Sequence, residues 1–365
     1  MQRREFVNNI LIGGAAAAAG IGLSVAIRAD AKPSSLIIDG LSPSALNERY
    51  LDMLALANVS AWHKTLSGLA TFSATWDFVD KHSDRVVVVN RASDIDRARE
   101  EGRLALILGW QTASALGDHS GQELFKGVMN PSGTTGLNAY YQLGLRIVSL
   151  TYNTANAFAA GCLEPHLGLT RAGRRLVEEI HDLGILLDVG GHTGNQSSLD
   201  ALAMSQGVPV ICSHTNVAAL VDNPRNTSDE VFEGIARSGG VIGVSAVNTF
   251  LIRRSQDRDV KVPHVDLSIM LKHINYLKRL VGVNHIGLGP DFTEGRNITI
   301  NPDHILYGRE MAGPEPMSIR YVKGFEDMTQ IQNVANVLAD DGWSQTEIDK
   351  VMGLNWMRVY RQVWS

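Results

Sequence analysis

Three segments of the chain end on residues able to bind a metal or move a proton: LLDVGGH closes on His192, VPVICSH on His214 and IGLGPD on Asp291. Each is an apolar run of strand length preceded by a helix-like one. An imidazole offers a lone pair to a divalent cation or a proton to a substrate, and a carboxylate can do either. A lone histidine at a strand end is more often structural. Two on successive strands, each opening into a polar loop (HTGN and HTN), point to a shared site. Asp291, in the sequence PDF, reads as a site carboxylate or as a turn aspartate.

Other residues fall close enough in sequence to join them. Arg225, in NPRN, follows His214 and is either a clamp for a carboxylate or a solvated loop arginine. Tyr152 and Asn153 end another strand-like run and can orient a substrate; core packing is the alternative for Tyr152. Glu164, in the next loop, is a ligand, a base or a solvated side chain. His63, His166, His181, His264, His273 and His285 fall in loops, helices or strand starts and read as incidental.

A scaffold must gather strand ends from distant parts of the chain. Strand-like runs are expected at 35–40, 54–62, 104–110 and 145–152, and again at ILLDVGG, VPVICSH, VIGVSAV and HIGLGPD. Helix-like stretches at 94–101, 171–183, 199–204, 229–237 and 269–280 alternate with them. Such alternation predicts right-handed βαβ units and a parallel sheet. About eight strands suit a (β/α)8 TIM-like barrel, in which strand C-termini converge on one mouth. An open doubly wound sheet would carry a Gly-rich phosphate fingerprint, and none is present. Loop-like stretches are expected at 117–135 and, as a long segment over the mouth, at 292–324; two helices, 328–340 and 344–363, close the chain.

The 365 residues are 44% hydrophobic and 19% charged, ample for one large core. A net charge of −5, without a basic run after the N-terminus, argues against a nucleic-acid partner. Residues 1–31 read as a signal peptide of twin-arginine type: Arg3-Arg4, an Ala/Gly-rich apolar stretch, then Ala29-Asp30-Ala31. This predicts an exported or periplasmic protein, with residues 32–365 forming one barrel domain; a retained anchor is the alternative. No later stretch is long and apolar enough to span a bilayer. Cys162 and Cys212 do not make a disulfide framework; Cys212 reads as a small buried side chain.

Several stretches, in this order and spacing, resemble the membrane (renal) dipeptidase family of zinc peptidases and its bacterial exported branch. They are LTYNTANAFAAGCLE, GLTRAGRRLVEEIHDLGILLDVGGH, VICSHTNVAALVDNPRNTSDEVFEGIARSGGVIGV, HIGLGPDF and GLNWMRVYRQVW. The resemblance covers roughly residues 37–364. It implies a β/α barrel with zinc at its mouth, cleavage of small dipeptides bearing a free carboxylate, and a homodimer. His192 and His214 take the places of two family histidine ligands. Arg225 takes that of the substrate-contacting arginine and Asp291 that of the acid/base aspartate. DVGGH carries one residue more than the family's Asp-x-x-His, so Gly191 competes with His192 for the expected place.

The chain also departs from the pattern. The family's Asp-Gly-His-x-Asp is here Asp39-Gly40-Leu41-Ser42-Pro43, and Leu41 and Pro43 cannot ligate through their side chains. Gln111 stands where the bridging glutamate is expected, and Tyr152 where the renal enzyme has a histidine. The resemblance therefore implies at most one zinc, held by His192 and His214 with weak help from Gln111 or Glu164. Three readings follow: a metal-assisted dipeptidase-like hydrolase of dipeptides or related small amides; a metal-free relative that binds or helps mature a peptide-like ligand in the periplasm; or a different reaction on the same scaffold, such as lactone or non-peptide amide hydrolysis.

Overall fold

The computed structural model describes residues 36–116, 136–252, 263–296 and 320–365. The signal peptide, the 117–135 loop and most of the 292–324 segment lie outside the described residues.

The strands are β1 (Ile38–Asp39), β2 (Ala61–Leu66), β3 (Val86–Val88), β4 (Leu104–Trp110), β5 (Leu145–Ser149), β6 (Leu186–Asp188), β7 (Val210–Thr215), β8 (Ile242–Val244) and β9 (Ile286–Leu288). Eight run around a parallel barrel in the order β1-β2-β4-β5-β6-β7-β8-β9, and β3 pairs beside the first half of β4. Gly40 N–H donates to the Leu288 carbonyl at 2.9 Å, which brings the first strand against the last.

Period-two alternation sorts the side chains. Ala61, Ala105, Ile107, Ile147, Leu186 and Ile211 belong to one apolar cluster, inside the barrel. Their neighbours Trp62, Leu106, Leu108, Val148, Leu187 and Val210 belong to another, under the helices. The helix Arg171–Asp182 is typical of the outer layer. Thr170 caps it through Gly173 N, and Leu176, Val177 and Ile180 are its buried stripe.

The sequence expectation fails at 54–62. Leu54 ends a helix, Glu48–Leu56, capped by Asn47 and burying Tyr50, Leu51 and Leu54; the strand starts only at Ala61. Tyr50, Leu51 and Leu54 lie at helical spacing, and the cap that marks the helix, Asn47, lies upstream of the apolar run. The helix Leu69–Lys81 and the strand β3 add to the expected elements. The closing helix is interrupted by a π-helical turn, Lys350–Leu354, before Asn355–Val363.

That turn aims Trp356 into the barrel. Its indole is fully buried and donates from Nε1 to the Leu288 carbonyl at 3.2 Å. Gly40, Gly243 and Gly287 make room for it: a Cβ on any of them would crowd the ring. We expect Trp356→Ala to lower stability by about 3–5 kcal/mol, the cost of an unfilled aromatic site. Urea unfolding followed by far-UV circular dichroism measures this; an unchanged midpoint would contradict the plug.

Candidate functional site

The polar side chains at the strand ends form one connected cluster. Asp188 on β6 is fully buried and accepts from the Ser149 hydroxyl, from Ser213 N–H at 2.7 Å and from Ser213 Oγ at 2.6 Å. Burial pushes its carboxyl up to about 6, against the pull of these donors. Because Ser213 gives its only hydroxyl proton to Asp188, its oxygen must accept from His214 Nδ1, 2.7 Å away. His214 therefore presents the Nε2 lone pair to the barrel mouth. On the other side, His192 Nδ1 lies 2.6 Å from Asn153 Oδ1, so His192 is set the same way. Both rings are buried, and burial followed by the Arg225 charge holds both well below the ordinary imidazole range. They are neutral at pH 7.

Gln111 stands between them. Its amide nitrogen lies 3.2 Å from Nε2 of His192 and 3.2 Å from Nε2 of His214. The NH2 group has two hydrogens and the imidazoles offer two lone pairs, so one amide satisfies both. Arg225 Nη2 lies 3.3 Å from the same His192 Nε2.

The loop after β7 returns Arg225 over the mouth. Asn223 Oδ1 accepts from Arg225 N at 2.9 Å, and Thr215 Oγ1 donates to the Arg225 carbonyl at 3.0 Å. The side chain is 1% exposed, yet Nε and Nη1 have no partner among the described residues. Buried donors left empty are rare and mark a place for an acceptor. Gly190 and Gly191, at φ 73° and 55°, absorb the extra residue before His192. A Cβ on Gly191 would meet Arg225 Nη1 at 2.6 Å, so His192, not Gly191, supplies the site.

Asp291 follows β9 with φ 67°, and Asn153 follows β5 with φ 66°. Left-handed backbone at both residues turns their side chains toward the mouth at a local cost. The Asp291 backbone N–H donates to the Leu41 carbonyl at 2.9 Å, while its carboxylate accepts nothing among the described residues. Burial raises that carboxyl to about 6; Arg225, Arg320 and Arg296 oppose the rise. Tyr152 stacks on His192 with centroids 4.0 Å apart and is 48% exposed, so it forms the rim and not the core.

The structure thus gathers His192, His214, Gln111, Arg225, Asn153 and Tyr152, with Asp291 among the same arginines. Glu164 does not join: its Oε2 accepts from Ala155 N at 2.9 Å within its own loop. Cys162 and Cys212 are both free and buried. His181, His264, His273 and His285 bond to neighbouring backbone or to Ser205, as incidental residues should. His63 is different. It lies inside the barrel against Gly109, bonds Gly40 O through Nδ1 at 2.7 Å, and leaves Nε2 without a partner among the described residues. Burial pushes it down to about 4. Alternation would have placed it inward with Ala61, but the misplaced strand hid that register. Asp188 is the last residue of β6, whereas the sequence pattern extends that strand through Gly191 and places Asp188 inside it.

The donor set fits a metal poorly. A protein zinc site ordinarily takes three acceptor ligands or more. Here two imidazoles face an amide N–H pair, which donates, and a guanidinium lies beside them. Leu41 is fully buried and apolar. Among the described residues, no group of three or more His, Cys, Asp or Glu side chains is placed to hold a metal ion.

Known proteins share this frame. The sequence model of the family described as "Membrane dipeptidase (Peptidase family M19)" matches residues 41–305 and 296–365. A Klebsiella pneumoniae protein, described as an uncharacterized protein in the pqqA 5′ region, is 30% identical over 281 residues, covering 75% of this chain and 88% of that protein. The dipeptidase tcpJ of Claviceps purpurea is 27% identical over 288 residues, which span 78% of this chain but only 57% of that protein. Among solved structures, an amidohydrolase from Pseudomonas aeruginosa superposes with a TM-score of 0.74 at 29% identity, covering 90% of this chain and 97% of that one. The probable dipeptidase PvdM from Pseudomonas aeruginosa is alike in fold, with a TM-score of 0.68 at 20% identity over 86% of this chain and 88% of that one. With the match running from Leu41 through the barrel to the last residue, the chain is a member of the membrane dipeptidase family, peptidase family M19.

Proposed function

We propose that the barrel mouth is a metal-free site for a small peptide-like molecule with a free carboxylate, which it binds or helps to mature. One observation carries this reading: a single amide, Gln111, is hydrogen-bonded to both inward-facing imidazole nitrogens. Arg225 supplies the anchor. Its unused Nε and Nη1 donors are those a ligand carboxylate needs. Tyr152 covers His192 and offers an aromatic edge to the ligand. Asp291, poised near 6, holds or releases a proton beside the bound molecule. The twin-arginine segment at 1–31 supports export of the folded chain, so the ligand is met in the periplasm.

A second reading, a one-zinc dipeptidase, is favoured by the two convergent Nε2 lone pairs and by family membership. Calorimetric titration of the purified chain with dipeptides and with zinc, alongside a dipeptide hydrolysis assay, separates the two. Dipeptide binding without zinc and without turnover supports the first. Zinc-dependent turnover overturns it.

Asp291 gives the binding a pH dependence with a definite sign. Protonated, it leaves Arg225 free of a competing anion; ionised, it opposes the ligand carboxylate. Affinity should therefore fall as pH rises through about 6. If the ligand shifts this carboxyl by about one unit, the change is roughly tenfold. His192 and His214 are already neutral in this range. Asp39, raised to about 7, and Asp188 titrate nearby, so the control is Asp291→Asn, which should flatten the profile. A profile unchanged in that variant would remove Asp291 from this role.

A further inference from the structure

A cavity of about 530 Å³ opens from Gln111 and Tyr152 and runs along the ends of β1 and β2 to Lys64 and Arg296. Two cations meet in this lobe, and neither has a carboxylate mate among the described residues. Lys64 Nζ donates to the Ser44 carbonyl at 2.9 Å and lies 5.1 Å from the Trp62 ring centroid. Arg296 Nη1 donates to the Pro43 carbonyl at 2.9 Å. Glu294, close by in sequence, pairs instead with Arg49 at 3.0 Å. Among the described residues, no acidic group forms an ion pair with Lys64 or Arg296. An ammonium beside a guanidinium, each bonded to a carbonyl and to no carboxylate among the described residues, is electrostatically incomplete. Burial and the Arg296 charge accordingly push Lys64 down to about 8.

The rest of the mouth has the same bias. Three guanidiniums, Arg225, Arg296 and Arg320, act on the Asp291 carboxylate; the other two acids of the mouth, Asp39 and Asp188, are buried and burial raises both. The whole chain nonetheless carries a net charge of −5. A cationic concavity in an acidic protein concentrates anions.

We infer that the lobe bounded by Lys64 and Arg296 is a second anion subsite, and that the ligand is a peptide-like molecule with an acidic side group besides its terminal carboxylate. Arg225 takes the terminal carboxylate, and Lys64 with Arg296 takes the side group. This rests on the peptide-like reading of the mouth. A carboxylate and a phosphate share the chemistry that such a subsite recognises.

The test is calorimetric titration of the full chain with Ala-Ala, Ala-Gln, Ala-Glu, Gln-Ala, Glu-Ala and Ala-phosphoserine at low salt. The inference expects at least one acidic dipeptide to bind about tenfold tighter than its amide counterpart, roughly 1.4 kcal/mol. That ratio should shrink with added salt and collapse toward one in Lys64→Gln and in Arg296→Gln. Lys64→Arg, which keeps the charge, should retain most of it and controls for misfolding. Tighter binding of Ala-phosphoserine than of Ala-Glu, lost in the same variants, supports the subsite and identifies its anion as phosphate. Equal binding of acidic and neutral dipeptides, or a ratio that survives both Gln variants, overturns this inference and leaves the peptide-like reading standing. Absence of binding by every dipeptide overturns both.

Discussion

On the metal-free reading, replacing Gln111 by glutamate should give the pocket a zinc affinity that the natural chain does not have. The two imidazoles are already arranged for the task. Asp188, through Ser213, fixes one Nε2 as an acceptor, and Asn153 fixes the other. Oriented, neutral imidazoles with a buried outer hydrogen bond are what a metal site requires of its histidines. What opposes the metal is the group between them. The amide donates two hydrogens into the space where a cation would sit, whereas a carboxylate would bring a third acceptor and a negative charge. Zinc affinity in Gln111→Glu should exceed that of the natural chain by about a hundredfold or more, roughly 3 kcal/mol. Zinc titration of both proteins measures it. Equal affinities would mean that the amide is not the obstacle.

The second large effect is expected at Arg225. Its guanidinium is buried with two donors empty among the described residues, which leaves a desolvation cost of about 1–3 kcal/mol per group. Arg225→Met removes that cost along with the ligand's anchor. Among the described residues it would give up the 3.3 Å bond to His192, the Phe250 ring face 5.2 Å from Cζ, and its attraction to Asp291 and Asp188. Ligand affinity should fall by about 2–5 kcal/mol, the range for truncating one partner of a buried charge pair, while the thermal midpoint of the free protein stays level or rises. Arg225→Lys should not restore binding, because an ammonium cannot reproduce the planar fork. Loss of folding together with binding would mark Arg225 as structural.

Much of this site was legible before any coordinates. The imidazoles of His192 and His214, placed by their strand-end positions alone, meet at one amide. Arg225 returns over the mouth as its distance from His214 suggested, and Tyr152 and Asn153 both touch His192. Barrel topology explains why: consecutive parallel strands put their C-termini at one end, so sequence position at a strand end becomes spatial proximity. Glu164 failed because a loop carboxylate has no such constraint and bonded its own backbone. His63 was missed for want of a correct strand start, since one misplaced element reverses which side chains face inward. The double hydrogen bond of Gln111 could not be read at all. It depends on tautomers set by Asp188, which acts on His214 through Ser213, and by Asn153; the Asp188–Ser213 and Asn153–His192 contacts join residues far apart in sequence.

The two imidazoles are joined either through an amide or through a metal. The direct measurement is the zinc content of the purified natural chain, equilibrated with excess zinc, freed of unbound metal and assayed by mass spectrometry. The prediction is clearly substoichiometric zinc, with histidine nitrogen resonances of His192 and His214 unmoved by its addition. A chain that retains one zinc ion or more, with those resonances shifted, would contradict it.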